Sequence, residues 1–511
     1  MDFKTIKQPL VVNETVYSQN AELPLDSDFT LPDFCPDIVK ILKCSVLARV
    51  TSKSISGQNV SIDGHICVNI LYCDKNGCVK NYEHIVPFDK LFDTGMDISG
   101  ANIECVIKNE YINSRAVTER KVSVHGALLI CVKITLPKKY DVIADIENEK
   151  VQINRKEFPS LNAIGSAEKY FLIEEELTLS AGQQSIDSVL RCEAIPVISE
   201  IKAVRNKASV KGNLTVSVLY SAGGGKQCVV YKSVIPFSQF VDIPGISEEC
   251  ICTGKTQLCF LEVKPKVTDN ECRSMMLSAR IAIFAETFCD SEIPVIFDAY
   301  STQHELLMKH SKIKLEKVAG HINDTFMFKK TFDFSEGSIG NIIDSWFETE
   351  ISEYSCEQGK LFVKGSINLC ILTFDTDSKV AYFEKKSDFC YEKNIDFKIE
   401  GNLVCTPVME PVTSSFTILS DSCVEYRIEY RVNLSLRDVS TVPVLTDIEY
   451  DEKSLKSKKT ECSMVLYFAD CGEKIWDIAK QYNSDICQVK EMNEISDDII
   501  KTPKKLLIPL L

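Results

Sequence analysis

One apolar stretch occurs three times in this 511-residue chain, and that repetition limits its fold more than any other feature. The copies run from Gly64 to Tyr72, from Gly212 to Tyr220 and from Gly365 to Thr373. Each starts at a glycine and then sets an aliphatic residue at every second position, which sends one set of side chains to one face of a sheet. Ile38, Ile186 and Ile339 recur in the same frame, each ahead of an apolar patch. Pro87-Phe88 returns as Pro236-Phe237 and, more weakly, as Asp388-Phe389. A spacing of about 150 residues is too long for a solenoid repeat, so the expectation is three tandem domains, each able to bury its own core.

Between these landmarks the chain reads as short alternating runs broken by turn signals such as Asp74-Lys75-Asn76-Gly77. That pattern predicts an all-β, sandwich-like architecture. Ahead of the first repeat, Leu31-Pro32-Asp33-Phe34-Cys35-Pro36-Asp37-Ile38 holds two prolines, which fix φ and predict a rigid loop. Residues 138–169 are charged and aperiodic, so a linker is expected near them, and residues 290–333 are expected to bridge to the third copy. The hydrophilic run Asp451–Lys459 is expected to be a mobile tether.

Charge and cysteine content narrow the function classes. A net charge of −15 argues against non-specific nucleic-acid binding and against a polybasic membrane anchor. The first residues lack the apolar core of a signal peptide, and no run approaches 18 apolar residues, so neither export nor a transmembrane segment is expected. The 22 cysteines form no C-x-x-C pair. Cys67, Cys131, Cys259 and Cys370 sit at apolar strand positions, and with no export signal reduced thiols are expected.

Residues 463–511 differ in kind. Val465-Leu466-Tyr467-Phe468 reads as a strand and Gly472 as its turn. Ile475, Trp476, Ile478, Ala479 and Tyr482 then share one helical face. Ile486, Val489, Met492 and Asn493 predict a second helix, and Leu506-Leu507-Ile508-Pro509 closes as an edge strand. The result is a compact βααβ unit.

No catalytic or metal signature emerges. Gly223-Gly224-Gly225-Lys226 lacks the Ser/Thr and the helix of a phosphate loop, so a hairpin turn is expected. His304 and His310 are six apart, off the common helical face that zinc would need. The expectation is a protein that is not an enzyme and uses no cofactor and no metal.

The terminal unit resembles a LysM domain. Gly472-Glu473-Lys474-Ile475-Trp476-Asp477-Ile478-Ala479-Lys480-Gln481-Tyr482 matches that family's first block, Asn493 its middle, and Ile500 with Leu506-Leu507-Ile508-Pro509 its end. The three repeats, the Pro-Asp lead-in loop and this terminal unit together resemble the SipL-type spore-coat morphogenetic proteins, built from tandem SPOCS domains followed by LysM. The resemblance implies SPOCS-like β domains at 1–150, 165–300 and 301–450, a linker at 451–462 and LysM at 463–511. It implies a non-enzymatic coat-assembly factor in the mother-cell cytoplasm, at the forespore surface. Its partner would be the stage IV sporulation protein A, the ATPase of the coat basement layer, with other coat proteins as further partners.

LysM domains hold N-acetylglucosamine polymers such as peptidoglycan in a groove between two loops. Here Glu473 and Lys474 stand where that family has shorter residues, and Pro503 replaces the final-loop glycine and removes a backbone donor. These departures favour protein over sugar as the ligand. Lys474, Ile475, Trp476, Asn493, Lys501, Pro503 and Lys504 are the expected partner-binding residues, with Lys505 beside them as part of a basic face. The alternative is a peptidoglycan-binding protein of the spore envelope.

Overall fold

The three repeats fold as three units of one plan in the computed structural model, which describes residues 4–147, 150–268, 271–334, 339–375, 379–455 and 462–510. The first unit comprises β1 (Lys4–Thr30), β2 (Lys40–Ser56), β3 (Asn59–Cys73), β4 (Val79–Asp93), β5 (Asn102–Ala116) and β6 (Lys121–Glu147). The second comprises β7 (Val151–Thr178), β8 (Ser188–Val204), β9 (Lys207–Ala222), β10 (Gln227–Asp242), β11 (Ile251–Thr268) and β12 (Glu271–Ser301). The third comprises β13 (His304–Asp333), β14 (Ile342–Glu357), β15 (Lys360–Phe374), β16 (Val380–Asn394), β17 (Asn402–Ser420) and β18 (Cys423–Leu455). In every unit strands two, three and four make one antiparallel sheet, and strands one, six and five make the other. Apolar residues alternate along both inner faces and close on one core in the first and third units and on two in the second, a two-sheet sandwich of the expected class.

The sequence landmarks coincide with the points where each unit is pinned. The repeated stretch is the central strand of its sheet, and it begins several residues before the glycine rather than at it. Gly64 pairs with Phe88, Gly212 with Phe237 and Gly365 with Phe389, which explains why the two signals travel together. A Cβ at any of these glycines would lie under 3.0 Å from the paired ring and from a carbonyl of the strand on the other side. That neighbouring strand carries a bulge beside each glycine, at Val50/Ser52, Ile198/Glu200 and Ile351/Glu353. Ile38, Ile186 and Ile339 are buried, and each donates its backbone N–H to the turn or strand end between strands five and six. In the first unit Arg120 locks the proline loop, donating to the carbonyls of Leu31, Pro32 and Cys35 and to the Asp37 carboxylate at 2.9 Å.

The expected linkers at 138–169 and 290–333 are strand instead. β1 stays paired with β6 out to Lys4↔Glu147, β7 with β12 to Val151↔Ser301, and β13 with β18 to His304↔Leu455. Beyond the sandwiches these pairs are long ribbons, and each buries only a narrow stripe against the other two. Polar residues therefore dominate their sequence and hide the period. Leu10, Val142, Val295, Ile313 and Val444 form one shared stem core, and Ile143, Ile146, Val151, Ile296 and Leu445 a second. The hydrophilic run 451–459 is strand as far as Leu455, and its remainder lies outside the described residues.

The small sheets of all three units also meet, through Leu42, Leu71, Leu190, Leu219, Trp346 and Leu372. Ion pairs join every pair of units: Lys53 to Glu168 at 2.7 Å, Lys43 to Glu384 at 2.6 Å and Arg191 to Asp344 at 3.4 Å. Each unit thus touches both others around a common centre rather than following in line. Gly223–Lys226 is the hairpin turn between β9 and β10, as expected. Cys250 and Cys289 are neighbours across the second unit, their Cα atoms 4.7 Å apart, and the other cysteines are free.

The chain ends in β19 (Met464–Ala469), α1 (Ile475–Tyr482), α2 (Ile486–Met492) and β20 (Lys504–Pro509). This is the expected βααβ order. Ile475, Ile478, Ala479, Val489, Leu506 and Ile508 make its core, and Asp485 caps α2 by accepting from the Gln488 N–H.

Candidate interaction surface on the terminal domain

The terminal domain has one face bound to the stem. At a bulge in β12, between Ile296 and Asp298, the Asp298 side chain is turned toward α1. Asp298 accepts from Trp476 Nε1 at 3.0 Å and pairs with Lys480 Nζ at 2.7 Å. Tyr300, two residues on, donates its hydroxyl to the Ser484 carbonyl at 2.7 Å and sets its ring 5.1 Å from that of Trp476. Burial, with the Asp485 and Asp298 carboxylates nearby, pushes the Tyr300 phenol well above its ordinary range, so it remains a donor. Gln152 of β7 donates to Asp485 at 2.8 Å and accepts from the Ile486 N–H at 3.3 Å.

The expected partner-binding residues divide into two sets. Ile475 is buried in the domain's own core. Asn493 staples α2 to β20: its amide donates to the Val489 and Leu507 carbonyls and its oxygen accepts from the Leu507 N–H, all at 2.7 Å. Trp476 has its N–H and one ring face against the stem. These three do internal work in this structure. Lys474, Lys501, Pro503 and Lys504 are exposed and lie on or beside the two loops that flank β20's start.

Those two loops are bonded to each other. The Gly472 N–H donates to the Ile500 carbonyl at 2.8 Å, the Ile500 N–H to Glu473 at 2.8 Å, and the Ile475 N–H to Asp498 at 3.0 Å. Tyr467 adds a hydroxyl bond to Glu473 at 2.8 Å. The backbone donors of Gly472, Ile475 and Ile500 are therefore already satisfied within the domain.

Opposite the helices, the outer face of the β19–β20 sheet is open and apolar. Met464, Leu466, Phe468 and Leu507 are 49%, 51%, 66% and 41% exposed. Register places Leu466 beside Leu507 and Phe468 beside Lys505, whose ammonium lies 5.4 Å from the Phe468 ring centroid. Sequence reasoning missed this face because it took Leu466 and Phe468 for ordinary strand residues; their alternation with Tyr467 was the available signal. Asp298, Tyr300 and Gln152 gave none, since only the fold brings them to the terminal domain.

Elsewhere, Glu348, Cys370 and Glu384 place ligand atoms within 4.8 Å of one another. Burial pushes the Cys370 thiol up to about 12, which keeps it protonated at neutral pH, and Lys43 and Asn368 already bond to Glu384. The group is an ion-paired contact between the first and third units.

Residues 37–113 and 185–266 match the family model described as SipL, SPOCS domain. The segments fall on β2 to β5 of the first unit and β8 to β11 of the second. Neither a curated protein nor a solved structure matches the chain. The SPOCS domain brings with it a spore-coat-related role. Two segments of this chain, one in each of its first two units, are SPOCS domains of the SipL family, set in tandem.

Proposed function

We propose that this chain is a non-enzymatic coat-assembly factor of the mother cell, in which the β units form the body and a terminal LysM-like domain recruits a protein partner. The partner on this reading is the stage IV sporulation protein A, the basement-layer ATPase at the forespore surface. The observation that carries the reading is the pairing of an open apolar sheet face with the exposed lysines 474, 501, 504 and 505, beside two loops bonded to each other through their backbones. An apolar centre with a charged rim is how proteins recognise proteins. A sugar site needs free, close-lying polar groups instead.

The test is retention of full-length chain on immobilised stage IV sporulation protein A, beside retention on purified peptidoglycan. The reading expects binding to the ATPase and none to the polymer. Binding to the polymer alone would support the envelope-protein alternative and end this one.

A further inference from the structure

A cavity of about 1070 Å³ lies where the three units face one another. Strands β5 and β6 of the first unit, β11 and β12 of the second, and β13, β17 and β18 of the third contribute to its wall. Its size is at the upper end of ligand pockets generally. Its lining is as apolar as it is polar, and lysines and glutamates supply most of the polar part.

Some of that charge is structural. Lys53 pairs with Glu168 at 2.7 Å and Lys255 with Glu104 at 2.5 Å, and both pairs join the first unit to the second. Arg437 pairs with Glu316 at 2.9 Å and lies over the Phe288 ring of the second unit. Glu14 is taken by Lys138 and Tyr140.

When these are set aside, Lys108, Lys133, Lys312 and Lys314 remain in the lining with no ion pair among the described residues. Glu286 is the one carboxylate left beside them. Burial raises its carboxyl above the ordinary range, against the opposing pull of Arg437 and Lys255, and one carboxylate stands against four lysines. A chain with net charge −15 therefore gathers a surplus of cations in a cavity walled by all three of its units. The four lysines are exposed at the mouth of a concavity, and like charges brought together in a concave site raise the local concentration of counter-ions of opposite sign.

We propose that this cavity is a binding site for a compact polyvalent anion, an oligophosphate or polycarboxylate, held by Lys133 and Lys108 from one side and Lys312 and Lys314 from the other. Because its wall is made by three units, a bound anion also bridges them, and occupancy stabilises their mutual arrangement. The site is independent of the terminal domain and of whatever partner that domain binds.

The test uses full-length protein, tripolyphosphate as probe, with citrate and sulfate alongside, and titration calorimetry at low ionic strength, where screening is weakest. Wild-type protein is expected to bind tripolyphosphate saturably and to melt at a higher temperature in its presence. Lys133→Glu with Lys314→Glu is expected to weaken binding about tenfold or more, roughly what losing two charge-assisted contacts costs. Lys133→Met with Lys314→Met removes the cations without adding repulsion and serves if the glutamate pair misfolds. Lys226→Glu, on the β9–β10 turn, changes charge by the same kind of step away from the cavity and is expected to bind as wild type. No saturable binding by the wild type, unchanged binding by the methionine pair, or an equal loss in Lys226→Glu would each overturn the proposal. Stronger binding of citrate than of tripolyphosphate would leave the site in place and assign it to polycarboxylates.

Discussion

Where the three β units meet one another, aliphatic side chains from all three interlock at two levels, in the stem and beneath the small sheets. Where the terminal domain meets that body, one aspartate, one tyrosine and one glutamine supply most of the contact. The first kind of joint rests on apolar burial, is insensitive to salt and holds whole sheets in register. The second is polar and local, and its loss leaves both sides folded. The body is thus a single piece, and the terminal domain is a separable module seated on it. The module turns its helices inward and leaves an apolar sheet face outward.

The largest expected effect lies inside the body. Gly212→Val would drive a branched side chain into the Phe237 ring and the Val197 carbonyl, overpacking that costs about 3 kcal/mol. Thermal unfolding should show a marked loss of stability in the body, while the terminal domain's binding to its partner persists at low temperature. The same substitution at exposed Gly57, where nothing lies near a Cβ but φ is +61°, should cost about 1–2 kcal/mol through backbone strain alone.

Next comes the outward face of the module. Leu466→Glu is expected to weaken partner binding by about 2 kcal/mol, the scale of an interface hot spot, and to leave the folding stability within about 0.5 kcal/mol of wild type. Loss of both together would mean that Leu466 is needed for folding and not only for contact.

The joint between the two regions should respond less. Asp298→Ala strands the Trp476 N–H and the Lys480 ammonium and is expected to cost the docking about 1–2 kcal/mol. Tryptophan emission should shift to the red, because Trp476 becomes wetter while Trp346, the only other tryptophan, stays buried among the small sheets. Unchanged emission and unchanged quenching would show that the joint does not depend on this aspartate.

The smallest effect concerns the ion pairs between units. Burial alone would raise the Glu384 carboxyl, but hydrogen bonds from Lys43 and Asn368 outweigh it and hold the group below the usual carboxylate range. A depressed carboxyl contributes stability above its unfolded value, near 4.3, and loses it as pH falls through the lower folded value. Partial exposure limits the contribution to under about 1 kcal/mol. The difference in melting temperature between wild type and Glu384→Gln should therefore be present at pH 7 and shrink as the solution is acidified below pH 4.

Much of this body is legible in the sequence because its repeats mark the same physical events. Gly64, Gly212 and Gly365 recur because a phenylalanine ring lies across each, and Ile38, Ile186 and Ile339 recur because each closes its sandwich. The βααβ order of the terminal domain follows from helical period and turn glycine in the same way. The ribbons stayed hidden because a stripe buried by three partners leaves few apolar residues on any one strand. The allocation of Trp476 to the stem stayed hidden for a different reason. Its ligand, Asp298, is 178 residues away in sequence, in a segment with no motif of its own. Ile475 and Asn493 matched the resemblance because they hold the module together, which a pattern cannot separate from contact with a partner.

The most direct test of the functional account is the affinity of full-length chain for the stage IV sporulation protein A, measured for wild type and for Leu466→Glu with Lys504→Glu under identical salt. The account predicts saturable binding by the wild type and a loss of about tenfold or more in the variant, with its melting temperature unchanged. Equal affinity of the two proteins would contradict it, and would move the recruiting surface from the terminal domain to the β units.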